Sequence, residues 1–290
     1  MEFLTNPVDW WIQPFISNGF MRNALWAGLL TALTTSVVGT WVVLRGMSFL
    51  GDALAHGVLP GVAIAFLVGV DTTVGALVAA LVMVGGINLI RAHSPLPEDT
   101  SIGVLFVGFL ALVVVIMSSR SGSWIGDLNR FLFGSIIAID NRDLIRQGVA
   151  ALVSVFGVAM FYRAFLVMTF DETQARLLGL RPRLAHAVLL ALISVAVVAS
   201  LKAVGNLLVF AFLIAPPATG TLLVRRVPLI MATALGLGTV AVVIGLLVSF
   251  HYGAAAGASM ALVAVVIFLA VLTARALSDL RAGRHQTALS

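Results

Sequence analysis

The sequence contains no cysteine. That excludes disulfide bridges, thiolate metal sites and iron–sulfur clusters. Charge is nearly as scarce: Asp, Glu, Lys and Arg make up 10% of the 290 residues, against about 25% in soluble domains. Functional signatures are missing too. With no Gly-x-x-x-x-Gly-Lys-Ser/Thr loop, the chain is expected to bind no ATP of its own. With no His-Glu-x-x-His, an intramembrane metalloprotease is set aside. No nucleophile elbow and no internal repeat is found. No basic n-region precedes an apolar core at the start, so no signal peptide is expected.

What is present is apolar. Hydrophobic residues make up 61% and mean hydropathy is +1.12. The expected fold is therefore an all-α polytopic membrane protein embedded in the lipid bilayer. The net charge of +5 does not point to nucleic acid, because the basic residues sit mostly in short loops between apolar runs, where they set topology. Apolar runs of bilayer length lie at about 22–44, 48–69, 72–91, 101–118, 145–168, 185–203, 205–224, 228–250 and 256–275. The expectation is thus about nine spans, with eight to ten admissible. The boundary near Gly205 is the weakest. Residues 1–20, with Trp10, Trp11, Phe15 and Phe20, have the pattern of an interfacial segment. Residues 21–275 form the transmembrane domain and 276–290 a cytoplasmic tail.

Orientation follows the Lys/Arg bias. Arg45, Arg91, Arg176, Arg181, Arg183, Arg225, Arg226, Arg275, Arg281 and Arg284 fall at alternate ends of the spans. That places these ends and the C-terminus in the cytoplasm, and the N-terminus outside. The loop 119–144, with Arg120, Arg130 and Arg142, is the exception. Residues 131–139 are open to two readings: a partly inserted segment, or a full span that would invert the N-terminal half.

Inside the second run, Asp52 and His56 stand four residues apart, one above the other on a single helix face. At 1.5 Å per residue they lie roughly 6 to 16 Å into a core about 30 Å thick. Ionisable groups at that depth are costly and default to function. A carboxylate and a neutral imidazole suit Mn²⁺, Zn²⁺ or Fe²⁺. The bland alternative is polar glue between helices. Pro60 has no N–H to offer the His56 carbonyl, and Pro216 and Pro217 interrupt the seventh run in the same way. Such helix breaks commonly line a translocation path.

Between spans five and six, residues 170–179 carry their own start and stop signals. Asp171 is a good N-cap and Glu172 complements the helix N-terminus. Gly179 fits a C′ stop and Pro182 bars continuation. A short cytoplasmic helix is expected there. It is either a connector on the membrane surface or a docking element for a cytoplasmic partner. Asp99, Thr100 and Ser101 are expected to cap the fourth span.

Four segments together resemble the membrane permease of the manganese, zinc and iron ATP-binding-cassette importers. They are Gly51-Asp-Ala-Leu-Ala-His56 with Leu59-Pro-Gly61, Glu98-Asp-Thr-Ser-Ile-Gly103, Leu132-Phe-Gly-Ser-Ile136, and Phe170-Asp-Glu…Ala175-Arg-Leu-Leu-Gly179 with Val204-Gly205…Pro216. The architecture so implied is similar to that of the vitamin B12-type importer permease. The resemblance implies a prokaryotic plasma-membrane protein that moves divalent metal ions, without catalysis and without a permanently bound cofactor. It also implies a homodimer, two cytoplasmic ATP-binding subunits and an extracytoplasmic metal-binding lipoprotein. Asp52 and His56 then fall on the metal path. Phe170, Asp171, Glu172, Ala175, Leu177, Leu178 and Gly179 fall on the helix that couples to the ATPase. The alternative cargo for this architecture is an organic chelate, a siderophore or a corrinoid, which needs a wide apolar cavity. One departure stands out. Before the last span the family often has an Asp and a Pro where this chain has Gly253 and Ala255. His251 is then the candidate to take that Asp's place at the outer metal entrance.

Overall fold

The computed structural model describes residues 10–118 and 139–287, without the side chains of 202, 203, 206–208 and 279–287. Most of segment 131–139, the Leu132–Ile136 motif, and the side chains of Lys202 and Asn206 therefore lie outside the described residues. The chain runs α1 (Gln13–Ser17), α2 (Gly19–Leu44), α3 (Ser48–Gly57), α4 (Leu59–Val68), α5 (Thr72–His93), α6 (Glu98–Ser118), α7 (Asn141–Phe170), α8 (Glu172–Leu177), α9 (Pro182–Val204), α10 (Asn206–Leu223), α11 (Val227–Tyr252) and α12 (Ala256–Thr287). Among the described residues there is no strand. Among the described residues eight segments are long and apolar enough to cross a membrane, α3 and α4 counting as one; Val209–Leu223, the run expected as a further span, is apolar but shorter.

The first span, α2, is the hub, packing on α7, α9, α10 and α11. It is buried on most of its circumference, and what it buries is unusual for a core: Thr31, Thr34, Thr35, Ser36 and Thr40 are fully covered. A hydroxyl in hydrocarbon needs a partner. Thr34, Thr35 and Thr40 donate back to the carbonyls of Leu30, Thr31 and Ser36 at 2.7 Å, which small β-branched hydroxyls do within a helix. Gln147 of α7 donates to the Ala27 carbonyl and to Thr31 Oγ1, tying two spans together at membrane depth.

The breaks fall where backbone chemistry forces them. Val58 parts α3 from α4 just before Pro60. Gly205, at φ 90°, parts α9 from α10, so the long apolar run does split there. The break expected at Pro216 and Pro217 does not occur: α10 runs as one helix from Asn206 to Leu223 through both, and the missing N–H of Pro217 leaves the Leu213 carbonyl without its usual partner. That carbonyl lies against Gly39 of α2, where a Cβ would collide with it. Both prolines are buried in this seam. The fourth span starts one turn-position earlier than its cap signals indicate. Glu98 is already helical, and the N–H groups of Thr100 and Ser101 reach the Pro97 carbonyl. Asp99, Thr100 and Ser101 therefore form the first turn and not the cap. Pro97 sits just outside the helix, where its lack of an N–H costs nothing.

Spans cross closely through glycine. Gly61 of α4 and Gly75 of α5 face each other so tightly that a Cβ on either would strike the other's carbonyl oxygen. Gly85 on the same α5 has nothing within 4 Å. Gly75→Ala is therefore expected to lower thermal stability of the purified protein, an overpacking penalty of about 1–3 kcal/mol. Gly85→Ala should leave it unchanged or raise it, through about 1 kcal/mol of helix propensity. Unfolding midpoints that move together would contradict the close crossing.

Candidate functional site

The segment Gly51–Gly57 builds the site from both sides of one helix. On the inner side a Cβ at Gly51 would meet Leu213 of α10 at 2.8 Å and Phe210 at 3.2 Å, and Gly57 abuts Met83 Sδ of α5. Leu50, Ala53 and Leu54 fill the rest of that face and are fully buried. The two glycines thus press α3 into the bundle. The same helical rotation turns Phe49, Asp52 and His56 outward.

His56 Nε2 stands 3.7 Å from Asp52 Oδ1, with side chains 23% and 40% exposed. Phe106 of α6 presents its ring to the His56 imidazole at 5.7 Å and to Phe49 at 5.8 Å, both edge-on. The imidazole is held between a carboxylate and an aromatic edge, with an open side facing away from the bundle. Among the described residues no group of three or more His, Asp or Glu could hold a metal ion. Asp52 and His56 thus offer one carboxylate and one imidazole, half of a tetrahedral or a third of an octahedral shell. Pro60 lies past the Val58 break, in the first turn of α4, and is buried at the edge of an apolar groove with Ile64, Val78 and Phe109.

At the opposite end of the bundle from Asp71, Arg45, Arg91, Glu98, Glu172, Arg176 and His186 converge. Arg91 at the end of α5 reaches Glu98 Oε2 at 3.7 Å and Glu172 Oε2 at 3.3 Å. Arg176 closes on Glu172 Oε1 at 2.9 Å. The buried His186 Nε2 lies 3.3 Å from Glu98 Oε1. Burial pulls the Arg45 guanidinium below its ordinary value, against the pull of Glu98 and with a smaller push from Arg91. Sequence reasoning took Arg45 and Arg91 as topology markers alone. The pairing was not visible because Glu172 is 81 positions from Arg91. The available signal was two acidic pairs, Glu98-Asp99 and Asp171-Glu172, in basic ends.

The helix expected from Asp171, Gly179 and Pro182 lies at this same end. Asp171 Oδ1 accepts from the N–H groups of Thr173 and Gln174 at 2.8 and 3.0 Å. Gly179 takes the left-handed conformation at φ 70°, and Pro182 opens α9. Ala175 is buried, while Phe170, Leu177 and Leu178 are exposed at 73%, 83% and 55%. At the other end, His251 stacks on Trp10 with centroids 4.5 Å apart, and its Nε2 lies 3.2 Å from the Trp10 carbonyl. Arg146 is paired there with Asp71 at 2.7 Å.

Residues 17–275 match the model of the ABC 3 transport family. The chain is 36% identical over 257 residues to the manganese transport system membrane protein MntC of Listeria innocua, covering 89% of this chain and 91% of that one. It is 31% identical over 265 residues to a probable iron transport system membrane protein of Haemophilus influenzae, covering 91% and 96%. Among solved structures, PsaBC from Streptococcus pneumoniae in complex with a Fab superposes with a TM-score of 0.80 at 32% identity, covering 90% of this chain and 94% of that one.

The hydrogen bond from Arg176 holds the Glu172 carboxyl below the usual carboxylate range; burial opposes this, and the charges of Arg91, Arg176 and Arg45 add to it. A carboxyl depressed in the folded state contributes stability that is complete above its unfolded pKa, near 4.3, and is lost as pH falls through the folded value. Amide exchange across residues 170–180 is therefore expected to match between wild type and Glu172→Gln at low pH. Above about pH 5 the wild type should be better protected. Equal protection at neutral pH would show that Glu172 does not hold α8.

Proposed function

The chain belongs to the ABC 3 transport family, and on that premise, as the membrane-spanning permease of a metal-importing ATP-binding-cassette transporter, we propose that it passes Mn²⁺ across the bacterial plasma membrane on Asp52 and His56. The observation that carries this reading is the open placement of both side chains on an intramembrane helix. A carboxylate cannot profitably face lipid, so the open side is closed by something polar or by a second chain. A second copy related by a two-fold axis supplies the same pair again. The two pairs make four oxygen and nitrogen ligands, a set suited to Mn²⁺ and also to Fe²⁺. Manganese is preferred because the relatives matched over most of the chain include a manganese permease; the iron relative makes Fe²⁺ the competitor. Ion entry from an external binding lipoprotein falls at the Trp10 and His251 end. Here His251, engaged by Trp10, serves the boundary.

ATP hydrolysis belongs to two separate cytoplasmic subunits. Their docking element is α8 with its flanks, where Phe170, Leu177 and Leu178 are large exposed apolar groups. Such groups mark an interaction surface.

In proteoliposomes holding the complete transporter, Asp52→Ala and His56→Ala are expected to lower Mn²⁺ uptake at least about tenfold, the scale for losing part of a metal site. Permease and ATPase should still co-purify. Uptake at the wild-type rate in both variants would reduce the pair to polar glue. Competition with Fe²⁺ in the same vesicles decides the cargo.

Replacing Leu177 and Leu178 by Glu should detach the ATPase or leave it hydrolysing without uptake. A complex that assembles and imports normally with both changes would place docking elsewhere.

A further inference from the structure

We infer that Arg91 is the positioning residue that ties the motion of α8 to the Asp52–His56 pair. The inference rests on the reading of α8 as the docking helix and of His56 as a metal ligand. Among the described residues, Arg91–Glu172 is the ion pair that joins α8 to another helix. The same guanidinium reaches Glu98, the first residue of α6. Arg91 therefore grips the docking helix with one nitrogen and the base of α6 with another. The α5–α6 connection contains Pro95 and Pro97 in four residues, which restricts its backbone. Along α6, Phe106 stands eight residues beyond Glu98, about 12 Å by helical rise. Along α3, His56 stands eight residues beyond Ser48 at the same end, and the two rings meet at 5.7 Å.

A displacement of α8 is thus passed to Arg91, then to the α5–α6 hairpin as one body, then through Phe106 to the imidazole. The helices chained to α8 directly, α7 and α9, do not supply the ring that touches His56. Rigid elements with discrete arrangements are what can carry such a shift. Guanidinium geometry matters at this node: its fork serves two carboxylates at once, while a Lys ammonium is a single point charge.

The test uses the intact transporter in proteoliposomes, reading Mn²⁺ imported per ATP hydrolysed. Arg91→Gln is expected to keep the ATPase bound and hydrolysing while import per ATP falls about tenfold, the scale of coupling that packed networks carry. Arg91→Lys should fall between. Glu172→Gln and Glu98→Gln should each lower the ratio in the wild-type background and lower it by less in the Arg91→Gln background, where their contacts to Arg176 and His186 still remain to be lost. Mn²⁺ binding to the resting Arg91→Gln complex should match wild type. An unchanged ratio in Arg91→Gln, or effects that simply add, overturns the inference. If Arg91→Gln does not fold, the surface variant Glu172→Gln decides alone: a wild-type ratio there also overturns it. Asp52→Ala run alongside separates the two levels. Normal import in that variant sinks the metal-pair reading itself, whatever Arg91 does.

Discussion

Inside a bilayer there is no water to satisfy a polar group, and the rest of this structure depends on that constraint. Much of the polarity that the chain carries at depth is satisfied locally, although Ser36 Oγ and Ser154 Oγ are buried without a hydrogen bond among the described residues. The threonines of α2 fold back onto their own helix, and Gln147 finds a carbonyl and a hydroxyl on α2. Against that background Asp52 and His56 stand out by geometry rather than by residue type. They are turned toward the outside of the subunit, and among the described residues each other and the Phe106 ring attend them. The satisfied polar groups show that the fold can neutralise polarity when function does not require otherwise.

The helices and their order were legible because each span is a long apolar run, and the punctuation was legible where it is covalent. Gly205 had to break a run that hydropathy alone would have joined. Asp171, Gly179 and Pro182 delimited a six-residue helix among far longer ones. Pattern failed where the deciding contact is distant in sequence. Asp99 and its neighbours have the composition of a cap, yet Glu98 is drawn into the helix toward Arg91 and His186. The paired prolines of α10 carried a real signal, a freed carbonyl. What the sequence could not say is that Gly39 of another span lies against it.

The segment from Gly51 to Gly57 shows how one motif serves packing and chemistry together. Its glycines remove the Cβ atoms that would hold α3 away from α10 and α5. Its acid and imidazole occupy the opposite face. Enlarging Gly51 would push α3 outward and carry Asp52 with it, so the position of the acid and imidazole depends on the small residues behind them. This also separates the motif from a chance polar pair, whose neighbours would be under no such steric demand.

A half-site has a consequence for transport that a complete site lacks. An ion held by a full protein shell within one chain leaves slowly, since every ligand must let go of it unaided. Conduction requires binding favourable enough to enter and weak enough to leave. On the proposed two-fold arrangement each chain contributes a carboxylate and an imidazole, so the coordination number depends on the distance between two α3 helices. Metal–ligand bonds are near 2 Å and tolerate a few tenths of an ångström. A relative shift of about 1 Å is therefore enough to break the shell into two weak halves. The helix that must move lies against α6, whose base shares a guanidinium with α8, the proposed docking helix. Small displacements at the end of the bundle that carries α8 then act on the one quantity to which the ion is most sensitive.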